Sequence, residues 1–177
     1  MKLRRSGMLL LLVLSLVLGL GMASTSSNQT AYAKAKYTMK TFPKSIRGTW
    51  YSYQYHKMYR IKITSKKITG SDFTNRLHSR KVTAYPKQSA KVKHPSWVTA
   101  GMMTVNHEHW VNVMGWYQSA GAGDDYRQVT HKIGGSQHSI LQMAGGAGLW
   151  TYAHGYHSKH LAKKYANHYF KGERKNG

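Results

Sequence analysis

The chain has no cysteine, little acid and little proline. Its 177 residues hold 27 Lys and Arg against only 5 Asp and Glu, with 3 Pro. Without cysteine there is no disulfide framework, no thiol nucleophile and no lipid attachment at a cleaved N-terminal Cys. A small exported domain often relies on disulfides, so this one must hold itself by packing. Scarce acid limits carboxylate chemistry. Paired-carboxylate hydrolysis needs two acids across a cleft, and Asp72, Glu108, Asp124, Asp125 and Glu173 are all there is. Asp124 and Asp125 are neighbours in an expected turn and Glu173 is in the tail, which leaves Asp72 with Glu108. Neither H-E-x-x-H nor a G-x-S-x-G elbow occurs. Gly145-Gly146-Ala147-Gly148 is no phosphate loop, because no Lys-Ser/Thr follows and no helix opens there. The C-terminus, Lys171 to Gly177, offers no apolar tail for an anchor. No catalytic residue and no cofactor is assigned.

What is present begins with a leader. Lys2, Arg4 and Arg5 precede an apolar run from Met8 to Leu20. A positive start, about 13 apolar residues and then small residues make a secretory signal peptide. The run is short of the roughly 20 residues a membrane-spanning helix needs. Two cleavage points fit, after Gly21-Met22-Ala23 and after Ala31-Tyr32-Ala33. The expected organisation is a signal peptide over residues 1–23, with cleavage as late as 33. A disordered polar segment over 24–41, a β-barrel domain over 42–171 and a basic tail over 172–177 follow. Either cut leaves about 145–155 residues, the size of one domain. The mature charge is +19, from 24 Lys and Arg against 5 acids.

The mature chain reads as strands. Gly48 to Tyr53 is β-branched and aromatic. Lys57 to Thr64 alternates, with Tyr59, Ile61 and Ile63 on one face and Arg60, Lys62 and Thr64 on the other, the period of a half-buried antiparallel strand. Gln54 to His56 fits a hairpin turn. Ile68 to Phe73 reads as a third strand. The signal fades from Thr74 to Ser96, then returns at Trp97–Val105, His109–Tyr117, Tyr126–Ile133, His138–Met143 and Leu149–Tyr152. Ser158 caps a helix expected from about Lys159 to Tyr169. The fold class is therefore all-β: an antiparallel meander closed or nearly closed into a small barrel, with one short C-terminal helix.

Gly48-Thr49-Trp50 in the first strand resembles the G-x-W signature of lipocalin-like β-barrels, which also carry a C-terminal helix beside the barrel. From about Phe42 to Phe170 the chain is also similar to small secreted proteins of Gram-positive bacteria with a G-T-W-Y strand and a later A-G-x-G-x-W-T segment. The resemblance implies a cup-shaped cavity for a small apolar or amphipathic molecule. It implies that Gly48 and Trp50 close one end of the barrel.

Charge points to the partner. An exported +19 domain meets anionic polymers, and a Gram-positive envelope would supply teichoic-type polyphosphates. The residues expected to bind them are Lys57, Arg60, Lys62, Lys66, Lys67, Lys159, Lys163 and Lys164. Tyrosines interleaved with these cations would also suit nucleic acid, but an exported compartment argues against it. After cleavage no stable membrane span remains. Among 11 histidines, His107, His109, His154 and His157 are the metal-ligand candidates, and their spacing matches no catalytic zinc pattern. The expected function is a secreted cationic barrel retained at the cell envelope by charge. The alternatives are a lipocalin-like carrier of a small apolar ligand, and an envelope-active enzyme or cationic antimicrobial protein.

Overall fold

The computed structural model describes residues 35–84, 86–87 and 93–175. The expected signal peptide lies outside the described residues. Nine strands close into one barrel. They are β1 (Gly48–Gln54), β2 (Lys57–Ile63), β3 (Lys67–Thr69), β4 (Thr74–Leu77), β5 (Trp97–Val105), β6 (Glu108–Gly115), β7 (Asp124–Ile133), β8 (Ser136–Gly145) and β9 (Trp150–Tyr156). Each pairs with the next, and β9 returns to β1 where Tyr156 faces Tyr51. A six-residue helix, α1 (Lys159–Lys164), follows. The meander is antiparallel at every seam but one. Strands β4 and β5 run parallel, Arg76 opposite Trp97 and Leu77 opposite Val98. A parallel seam needs a long crossover, which the link from 78 to 96 supplies.

Three hairpins turn on two residues with positive φ: Tyr55-His56, Asn106-His107 and Gly134-Gly135. Such turns match the twist of the strands they join. Alternation sends one set of side chains inward, among them Trp50, Ile63, Ile68, Leu77, Val111 and Leu141, all buried in one cluster. One end is plugged. Phe42 and Ile46 pack into that cluster. The Trp50 indole donates to the Ile46 carbonyl at 2.9 Å. The Arg47 Nε donates to the Phe42 carbonyl at 2.8 Å.

The outside of the barrel is also covered in places. Helix α1, capped by the Ser158 hydroxyl, buries Ala162 against Ile133, Ile140 and Tyr156. It is shorter than the expected Lys159–Tyr169, because Tyr165 leaves helical geometry at φ −112°. The chain then turns, so that Phe170 stacks on His131 at 3.8 Å. Beyond it, the Thr151 amide donates to the Arg174 carbonyl at 2.7 Å. On another face residues 36–39 run beside 80–82: the Thr38 amide donates to the Arg80 carbonyl and the Met39 amide to Ala100. The described packing thus includes residues ahead of Phe42. Among the described residues no helix is long and apolar enough to cross a membrane.

Candidate functional site

The expected cations fall on one arc of the barrel. Strands β1 to β4 contain no Asp or Glu. Register places Arg60 opposite Tyr51 and Lys62 opposite Thr49 on one side and Thr69 on the other. Lys67 stands directly opposite Arg76. Lys57 opens β2 and Lys66 lies in the turn before β3; all of these cations are exposed. Helix α1 extends the arc across β1. The Lys159 ammonium lies 5.5 Å from the centre of the Tyr51 ring, and Lys163 lies 6.0 Å from Tyr53. Lys164 sits over Tyr165 instead.

Two members of this arc escape a sequence reading. Arg76 sits on a four-residue strand with one buried apolar residue, too short to show a period. His78 stacks on Trp97 at 3.6 Å, and His94 stacks on the same indole at 3.8 Å. Burial, then Lys66, His94 and Arg76, push the His78 pKa down.

The acids lie elsewhere. Residues 35–96 carry fifteen Lys and Arg against one Asp, whereas 97–156 carry two against three acids. Those acids are largely engaged. Glu108 pairs with Arg127 at 2.7 Å, and Asp125 accepts from the Asn112 amide at 2.8 Å. Burial raises the Asp125 carboxyl to about 6. Glu108 opens β6 at the plugged end, whereas Asp72 sits in the β3–β4 turn at the other end. That placement removes the carboxylate pairing the sequence left open.

The unplugged end is hollow. A cavity of about 210 Å³ opens there, walled by Gln54, Tyr59, Phe73, Asp124, Tyr126 and Tyr152 among others. Asp124 begins β7 and faces this hollow, while Asp125 lies on the outer face. The Tyr152 hydroxyl reaches Asp124 Oδ1 at 3.5 Å. Tyr152 comes inward because β9 carries an extra residue between Thr151 and Ala153. Aromatics crowd the rim: Tyr55 is 86% exposed, Tyr152 46%, Phe73 45% and Trp150 40%.

The chain matches no family model, no curated protein and no solved structure. What it shares with lipocalin-like proteins is the closed barrel itself. The two residues expected to close it sit at the plugged end. Trp50 is buried, and the His157 ring stacks on it at 3.9 Å. Gly48 has φ +136°, and a Cβ there would meet the His157 ring at 3.3 Å.

The four metal-ligand candidates do not converge. His107 is in the β5–β6 turn and exposed. His109 shares a hydrogen bond with Thr104 at 2.9 Å. His154 is on β9, not on a helix, and meets Glu173 Oε1 at 2.8 Å with both side chains 3% exposed. His157 bonds the Thr49 carbonyl at 2.9 Å. Among the described residues no three His, Asp or Glu are grouped to hold a metal ion.

Proposed function

We infer that this is a secreted, wall-associated barrel whose β1–β4 and α1 arc binds an anionic polymer, polyphosphate above all. The observation that carries the reading is the arc's composition. Four adjacent strands hold Lys57, Arg60, Lys62, Lys67 and Arg76 and not one carboxylate. Like charges directly opposite across a ladder are destabilising, so the Lys67–Arg76 pair invites a counter-charge from outside. Each phosphate so neutralised releases condensed counterions, which makes binding steeply salt-dependent. The basic leader and apolar run supply export.

A matrix carrying inorganic polyphosphate tests the reading. The mature protein should elute at high salt, with a log–log slope that counts the phosphates engaged. Lys67→Glu and Arg60→Glu should each lower the eluting salt more than Lys132→Glu, which makes the same charge change on β7. Equal shifts for all three would reduce the effect to net charge and reject the arc. A second reading, lipocalin-like carriage of a small ligand, draws on the hollow mouth.

A further inference from the structure

The mouth cavity has a composition at odds with the rest of the protein. In a chain of formal charge +22, its one acidic wall residue is Asp124, set among the rings of Tyr59, Phe73, Tyr126 and Tyr152. Among the described residues Asp124 forms no ion pair, and its side-chain contact is the long one from the Tyr152 hydroxyl. Arg60 contributes to the wall, but alternation puts its side chain on the outer face, opposite Tyr51. The cup is also built. A Cβ at Gly70 would collide with the Phe73 ring, so glycine at that position lets the ring lie across the β3–β4 turn and form the wall.

We propose that this cup binds a small organic ammonium ion, its charge opposed by Asp124 and its methyl or methylene groups enclosed by Tyr59, Phe73, Tyr126 and Tyr152. The argument is one of complementarity. Aromatic faces attract cations, most strongly where water is excluded. A carboxylate at the same site supplies the counter-charge. Burial raises the Asp124 carboxyl above its ordinary value, with the Tyr152 hydroxyl opposing the rise; a bound cation would favour the charged form. A neutral apolar ligand would press hydrocarbon against an acid, and an anion would meet like charge. The segment from 97 to 156, which supplies Asp124, Tyr126 and Tyr152, carries only two Lys or Arg. A cation can therefore approach from the side that the cationic arc leaves free. This inference rests on the carrier reading and changes its ligand from apolar to cationic.

Choline and its uncharged isostere 3,3-dimethylbutan-1-ol are the probes, added to the mature protein and followed by amide chemical-shift changes at neutral pH. Choline should bind, with shifts concentrated on β7, β9 and the β3–β4 turn, and about tenfold more tightly than the isostere. Asp124→Asn keeps the shape and the rings and should reduce the preference for choline. Phe73→Ala removes a half-exposed ring and should weaken choline by about tenfold. Gly70→Ala, which displaces that ring, should do the same. Lys67→Glu, in the polyphosphate arc, should leave choline binding unchanged. Equal binding of the two probes overturns the ammonium assignment and leaves a neutral-ligand carrier standing. Binding of neither overturns both. Circular dichroism confirms that each variant is folded.

Discussion

Asp124 and Asp125 are adjacent in the chain and face opposite ways, so one peptide bond separates two environments. Asp124 looks into the cup, while Asp125 is 1% exposed and bonded to Asn112 on the outer face. Burial lifts the Asp125 carboxyl from 3.8 to about 6, with Asp124 adding to the rise and the Asn112 amide opposing it. A carboxyl with a raised folded pKa binds its proton more tightly folded than unfolded. Its contribution to stability is complete below the unfolded value and is lost as pH rises through about 6, a fall of up to about 3 kcal/mol. Asp124 shares this sign. His78 and His131, both lowered chiefly by burial, act the other way: their contribution is present above 6.5 and lost as pH falls. The variant is therefore best set against the parent at each pH. Asp125→Asn keeps an acceptor for Asn112 and cannot ionise. It should be more stable than the parent at neutral pH, with the difference shrinking toward pH 4. Urea midpoints that stay parallel across that range would refute the assignment.

Among the elements, legibility followed length. Strands β1, β2 and β5 to β8 have seven to ten residues, enough for alternation and β-branched or aromatic content to show. Strand β4, Thr74–Leu77, has one buried apolar residue and is held by its neighbours; nothing local marks it. Strand β9 is expected only over Leu149–Tyr152. In fact His154, Gly155 and Tyr156 pair with β8. The individual cations were legible because charge is written in single residues, but their sharing of one arc, with Arg76 among them, emerges only from the strand register. The cup was not, because Tyr59, Phe73, Asp124 and Tyr152 meet only once the barrel closes. The hairpin between β1 and β2 was expected, but its residues were not the usual ones. Tyr55 and His56 both adopt positive φ, at 48° and 60°, a region that costs most residues roughly 1–2 kcal/mol each and Asn or Gly less. Tyr55 is 86% exposed and contributes little packing. The double change Tyr55→Asn, His56→Gly should raise stability by about 1 kcal/mol at unchanged denaturant slope. A midpoint that fails to rise would mean that Tyr55 or His56 contributes contacts outweighing their strain.

At the scale of the molecule, the barrel is two-sided: a cationic arc over β1–β4 and α1, and a wall from β5 to β9 where several polar groups pair with one another. The Arg127 guanidinium illustrates the second side. It pairs with Glu108, donates to Gln142 at 2.6 Å and lies 4.5 Å from the Trp110 ring centre. The Gln142 amide in turn donates to Thr151 at 2.6 Å. Among the described residues no comparable network restrains the first side. Among the described residues the contacts between a carboxylate and a basic side chain are Arg127–Glu108 and His154–Glu173, and neither lies in the arc. Repulsion within the arc is therefore uncompensated in the free protein. Salt should stabilise this fold, because screening shortens the reach of that repulsion from about 30 Å at 0.01 M to about 8 Å at 0.15 M, while the Arg127–Glu108 attraction it also weakens is a single pair. Lys67→Glu converts the Lys67–Arg76 opposition into an attractive cross-strand pair worth roughly 0.2–1 kcal/mol. It should raise the low-salt melting temperature by about 1–4 °C, reduce the further gain from salt, and weaken polyphosphate retention at the same time. Stability and binding would then move in opposite directions from a single substitution, as expected where repulsion is maintained for a partner. A melting temperature that falls as salt is added would show that attraction dominates the surface, and the two-sided charge argument would fail with it.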